Sequence, residues 1–205
     1  MTAWLPEQPW VPKPVGLHPG LLARALPVLV LAALGTEAQA RPASTGFYTE
    51  AGAGAAGFIG SAARDSKIGP TLMLRLGWEP FSWLALGMHL EGSNHEATVP
   101  PPPTGEWFQL YRLQADGRLT ARLDTFALFA EGGLGAAYIS SNVLQKVGIL
   151  DPGERTTLSF DAGGGIEYQL QNRHYSFGLA GNWWVLPQFA HVQGAEARLY
   201  LRYTY

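Results

Sequence analysis

The feature that most constrains this chain is an alternation of period two that recurs eight times after residue 40, with charged side chains held to one face. Leu72, Leu74, Leu76 and Trp78 alternate with Met73, Arg75 and Gly77, and Leu84, Leu86, Met88 and Leu90 alternate with Ala85, Gly87, His89 and Glu91. The longest run sets Leu113, Ala115, Gly117, Leu119, Ala121 and Leu123 against Arg112, Gln114, Asp116, Arg118, Thr120 and Arg122. Three more follow: Phe126 to Tyr138 opposite Glu131 and small residues, Leu158 to Leu170 opposite Asp161, Glu167 and Gln169, and Tyr175 to Trp183 opposite Ser176 and Asn182. The last sets Ala197, Leu199, Leu201, Tyr203 and Tyr205 against Glu196, Arg198, Tyr200, Arg202 and Thr204. A Gly/Ala-rich first run near Phe47 to Phe58 turns Glu50 inward.

One alternating run is common in a soluble sheet, but eight with the same exclusion of charge require an apolar solvent on one side. Arg or Lys on a lipid face costs about 2–4 kcal/mol at mid-bilayer. Backbone groups in lipid must also be paired, which forces such a sheet to close. No run after Ala40 reaches the ~18 apolar residues of a membrane-spanning helix. The expected fold is therefore all-β, an eight-stranded antiparallel transmembrane barrel over residues 41–205.

Composition agrees. Charged residues are 15% of the chain, against roughly 25% in soluble domains. With no cysteine, disulfides and cysteine-based zinc sites are excluded. A net charge of −2 gives no electrostatic basis for binding nucleic acid.

The N-terminus reads as an address. Leu21 to Leu34 (LLARALPVLVLAAL) is apolar apart from Arg24, and Ala38-Gln39-Ala40 is an A-x-A cleavage site. Residues 21–40 are expected to be a signal peptide removed after Ala40, directing the chain to the bacterial outer membrane. Residues 1–20 hold five prolines and no periodicity. They are expected to be an extension upstream of a true start near Val15 or Leu17.

The connections alternate short and long. Short turns are expected at Glu79–Ser82, Leu123–Thr125 and Gln171–His174, and long loops at Ile59–Lys67, Gly92–Glu106, Ser140–Arg155 and Leu186–Gly194, with a Pro run at 100–103. Aromatics gather in two girdles, as at a membrane's two interfaces. Phe47, Trp78, Phe81, Trp83, Phe126, Tyr168, Tyr175, Tyr203 and Tyr205 lie toward the short turns; Phe58, Trp107, Phe108, Tyr138, Phe160, Trp183 and Trp184 lie toward the long loops.

This pattern resembles the eight-stranded outer-membrane barrel families, such as the OmpA transmembrane domain, OmpX and OmpW. The closing residues RLYLRYTY resemble the signal read by the barrel-assembly machinery through Arg198, Tyr203 and Tyr205. Tyr200 stands where glycine is usual, and Tyr205 replaces the commonest terminal Phe. The resemblance implies three partners: outer-membrane lipid, lipopolysaccharide and the assembly machinery. It also implies a monomer. Unlike full-length OmpA, the chain ends at the barrel, so no peptidoglycan-binding domain is expected.

The candidate site is the lumen. The inward faces carry Glu50, Glu91, Asp116, Glu131, Asp161, Glu167 and Glu196 with Arg75, Arg112, Arg118, Arg122, Arg198 and Arg202, plus His89. An eight-stranded barrel is only just wide enough for its own side chains, so near-balanced charge reads as a salt-bridged plug rather than an ion pathway. No enzyme activity, cofactor or metal is expected. The weaker candidates are His174-Tyr175-Ser176, with the His-x-Ser spacing of a lipid A deacylase, and Asn94-His95-Glu96, a weak metal set that reads as a solvated loop. Gly132-Gly133 and Gly163-Gly164-Gly165 sit within strands and serve close packing rather than phosphate binding. The expected role is structural or surface-interacting through the long loops. The alternatives are a passive conduit for small or hydrophobic solutes, a lipid A-modifying enzyme, and a soluble lipocalin-like barrel with its faces inverted.

Overall fold

A computed structural model describes residues 45–98, 107–139, 155–172, 174–189 and 191–205. The expected extension, the signal peptide with its junction after Ala40, the Pro run at 100–103 and residues 140–154 lie outside the described residues.

Eight strands form the wall: β1 (Gly46–Ile59), β2 (Gly69–Phe81), β3 (Leu84–Glu96), β4 (Trp107–Leu123), β5 (Phe126–Ile139), β6 (Thr156–Gln169), β7 (Tyr175–Leu186) and β8 (Val192–Thr204). Each pairs antiparallel with its sequence neighbour, and β1 pairs with β8, so the sheet closes. Closure leaves no unpaired edge, which the hydrocarbon core would not tolerate. The seam is tied beyond the last strand as well, where Tyr205 N–H donates to Phe47 O at 2.9 Å.

The exterior is apolar. Leu72, Leu74 and Leu76 are 68, 63 and 65% exposed, while Arg75 between them is 1% exposed. That ordering inverts a soluble protein and rules out the lipocalin-like alternative. The inward positions are buried, and the buried charged side chains lie among them. Strands of 12 to 17 residues exceed the ~9–11 that span a bilayer.

Three connections differ from expectation. β2 continues through Pro80 to Phe81 by way of a register shift between Trp78 and Phe81, and the turn is Ser82–Trp83. The shift accommodates a proline that has no N–H for the ladder. β3 continues past Gly92 to Glu96, because β4 pairs with it as far as Trp107. The β7–β8 connection spans only residues 187–191, so it is a tight turn rather than a long loop. His191 in that turn has φ 55, and Asp124 in the β4–β5 turn has φ 58.

The inward surface is close-packed by a ring-over-glycine device. A Cβ on Gly178 would lie 2.1 Å from Tyr200 Cζ, and one on Gly194 would lie 2.0 Å from Trp184 Cζ2. Large rings from one strand thus lie across bare backbone of the next.

Candidate functional site: the barrel lumen

The lumen is filled in layers. Toward the short turns, Glu79 pairs with Arg202 at 2.5 Å and lies 3.7 Å from Arg122. Arg122 is partly exposed at the rim, where its Nε donates to Ser82 O at 3.0 Å. Glu79, expected in a turn, lies inside because β2 extends far enough to carry it there.

Two carboxylates organise the middle. Glu50 accepts from Arg75 at 3.0 Å, Arg118 at 3.2 Å and Arg202 at 3.0 Å. Glu131 accepts from Arg75 at 3.0 Å, Arg118 at 2.8 Å, Asn182 at 3.0 Å and also Arg198. Arg118 lies 4.2 Å over the ring of Phe129 and 5.1 Å from that of Tyr200, whose hydroxyl donates to Glu167 at 2.9 Å. Phe129 is inward too, on a face expected to carry Glu131 and small residues. Beside this layer Arg75 Nε donates to Asp116 at 2.9 Å. His89 sits between carboxylates, with Nδ1 2.6 Å from Asp116 and Nε2 3.7 Å from Asp161.

Further out, Arg112 Nη2 donates to Glu91 at 2.6 Å and to Glu196, which also accepts from Arg198. Thr71 Oγ1 donates to Glu91 at 3.0 Å. Several partners are direct cross-strand neighbours: Glu50 opposite Arg75 and Arg202, Glu91 opposite Arg112, Arg118 opposite Glu131. Others, such as Arg75 with Glu131, meet across the lumen.

The long-loop mouth is apolar inside. Phe58, Phe108, Leu110, Ile139, Trp184, Leu186, Phe189 and Val192 form one buried cluster. The Phe58 ring is 5.3 Å edge-on to Trp184 and 5.9 Å from Phe108. Phe58, Phe108 and Trp184 therefore do not belong to the outer girdle: they are 7, 0 and 0% exposed. Trp107, Tyr138, Phe160 and Trp183 do face outward there, as do Phe47, Trp78, Phe81, Trp83, Phe126, Tyr168, Tyr175 and Tyr205 near the short turns.

His95, expected in a solvated loop, is a fully buried strand residue. It stacks 5.4 Å from Phe108 and meets Phe58 edge-on at 4.9 Å. Its Nδ1–H donates to Lys67 O at 3.2 Å, which leaves Nε2 to accept from Ser93 Oγ–H at 2.9 Å. That is the geometry of a nucleophile and its base, yet both side chains are enclosed. The pair satisfies two polar groups inside an apolar cap. In the other candidate, His174 Nδ1–H donates to Thr204 O at 2.8 Å, while Ser176 is buried. Among the described residues no group of three His, Cys, Asp or Glu side chains could hold a metal ion.

In the assembly-signal segment, Arg198 is committed to Glu131 and Glu196 inside, and Tyr203 packs 4.8 Å from Tyr175 and 5.0 Å from Tyr205.

No protein-family model matches the sequence, and the search of curated proteins finds no match either. Solved structures do match. The chain is similar to Neisserial surface protein A, NspA, at 16% identity and a TM-score of 0.56, over 78% of this chain and 98% of that one. Ail, the attachment invasion locus protein of Yersinia pestis, matches at 14% identity and 0.48, over 78% and 98%. The outer membrane enzyme PagL matches at 16% and 0.44, over 76% and 98%. At these identities the likeness is one of architecture. The chain has the fold of the small eight-stranded outer-membrane barrels.

Proposed function

We propose that this protein resides in a bacterial outer membrane and acts as a structural or surface-interacting barrel, not as a pore or an enzyme. The observation that carries this reading is the filled lumen. Arg75, Arg112, Arg118, Arg198 and Arg202 are each at most 2% exposed and ion-paired. A path for solutes would have to break several such pairs, and stripping one partner from a buried pair costs about 3–5 kcal/mol. The apolar cluster at the mouth adds a second barrier. What remains accessible is the apolar wall and the long-loop end, and loops are where such scaffolds carry recognition. The fold is shared with a neisserial surface protein.

The partners that fit are lipid along the wall and lipopolysaccharide at the long-loop rim, where Lys67 is 57% exposed beside Glu96. Assembly through the C-terminal strand by the barrel-assembly machinery and a monomeric state belong to the same reading. The lipid A-modifying alternative lacks an accessible Ser–His pair among the described residues.

The test is planar-bilayer recording of the purified full chain, with its folded state checked by an unboiled-versus-boiled gel shift. The expected result is a shifted band and no resolved conductance. A steady single-channel conductance from the shifted species would replace this reading with the conduit. Lipid A mass spectra from cells with and without the protein are expected to be identical.

A further inference from the structure

Beneath the apolar mouth, hydrogen bonding in the lumen is incomplete. Arg112 Nη1, Arg198 Nε and Trp184 Nε1 have no acceptor, and Gln114 Oε1 and Asn182 Oδ1 have no donor, although each is cut off from bulk solvent. The five residues are between 0 and 5% exposed. An unmet buried polar group costs about 1–3 kcal/mol, and more when it is charged. Native interiors leave few such groups.

These residues occupy one zone. Asn182 is opposite Glu196 in the β7–β8 ladder, and Glu196 holds both Arg112 and Arg198. The Arg112 guanidinium lies 5.1 Å from the Trp184 ring. Gln114 follows Arg112 on the same face of β4 and donates to Ser159 at 3.0 Å. Donors and acceptors are thus left over together, and among the described residues no protein group bridges them. A water molecule does both jobs and needs two to four polar partners.

The zone is bounded at both ends. On the short-turn side stands the layer of Glu50, Arg118 and Glu131. Toward the long loops the rings of Phe58, Phe108 and Trp184 close over it, with Phe189 brought in from the β7–β8 turn. Phe189 is 2% exposed, and its turn is pinned to β6 by Gln188 Oε1 accepting from Leu158 N–H at 3.2 Å.

We propose that ordered waters bridge Arg112, Arg198 and Trp184 to Gln114 and Asn182, forming a closed hydrated chamber under an aromatic lid that includes Phe189. The chamber is a dead end, wet at one level of the lumen and shut above and below.

The Trp184 indole N–H reports on it directly. The full chain, 15N-labelled at tryptophan and refolded in detergent micelles, is examined by NMR, with the Trp184 signal assigned by its disappearance in Trp184→Phe. The expected result is a water cross-peak at the Trp184 indole N–H, together with exchange into D2O about tenfold or more slower than at Trp183, which faces outward. Phe189→Ala, with its gel shift retained, is expected to speed Trp184 exchange by about tenfold. If Phe189→Ala does not refold, Phe189→Leu takes its place, with a smaller acceleration in the same direction. Absence of the water cross-peak overturns the hydrated chamber. Exchange at Trp184 as fast as at Trp183 overturns the seal, and unchanged exchange in the Phe189 variant removes that residue from the lid.

Discussion

Tyr200 lies across Gly178 so closely that a methyl group on the glycine would meet the phenol ring at 2.1 Å. The ring cannot retreat freely, because its hydroxyl is held by Glu167 and Arg118 lies against its face. Gly178→Ala is therefore expected to destabilise the barrel by about 1–3 kcal/mol, the usual cost of overpacking. In a Tyr200→Ala background the same substitution should cost much less, since the obstruction is gone. Urea unfolding midpoints of the two single variants and the double variant measure this coupling.

Glu131 gathers three guanidiniums, from Arg75, Arg118 and Arg198. Replacing it with Ala strands those charges in the lumen. Arg75 and Arg118 keep Glu50, and Arg198 keeps Glu196, so the loss is shared rather than total. The expected cost is about 3–5 kcal/mol, larger than for Arg122→Ala at the partly exposed rim. Equal shifts in the unfolding midpoint would contradict this ranking.

Leu74 faces lipid near the middle of β2 and is 63% exposed. Leu74→Arg should lower stability in phospholipid vesicles by about 2–4 kcal/mol. Ile68, 77% exposed just before β2 at the long-loop end, should tolerate the same change at well under half that cost. Folding titrations into vesicles compare the two, and equal penalties would remove the assigned depth of β2.

Ser93 and His95 meet at 2.9 Å but are buried beneath aromatic rings. A fluorophosphonate probe is expected to leave the folded protein unlabelled. Ser93→Ala should lower the free energy of unfolding by about 1 kcal/mol without altering any esterase background. Labelling of Ser93 would revive the enzymatic reading.

Strand number, antiparallel order and the lipid-facing side were legible because lipid imposes one rule along the whole wall. Leu72, Leu74 and Leu76 repeat that rule in a form that survives projection onto a single dimension. The mouth was harder to see. Aromatic residues near strand ends fit a girdle or a lid equally well by type, so residue type alone does not separate Phe58, Phe108 and Trp184 from the outer girdle. One signal was present: Trp183 and Trp184 are adjacent in a strand, as are Trp107 and Phe108, and neighbours in a strand point to opposite faces. One of each pair had to enter the barrel. The same parity, continued from Arg75 through Gly77, carries Glu79 inward, but Pro80 read as a turn and cut the count short. Continued from Glu91 through Ser93, it reaches His95. Contacts between distant strands had no such trace. Arg75 and Glu131 lie on β2 and β5 and share no ladder, so their meeting depends on how the closed wall brings opposite faces together.

The seam between β1 and β8 has a consequence in time. Glu50 is synthesised 152 residues ahead of Arg202, the partner directly opposite it across that seam. Until the final strand arrives, β1 keeps a bare edge and Glu50 lacks one of its cations. Neighbouring strands can zip together as local hairpins, but among the described residues this junction is the longest-range strand pairing, of the kind that slows folding. Completion of the wall and neutralisation of its interior are therefore one event, reached only when the last strand docks.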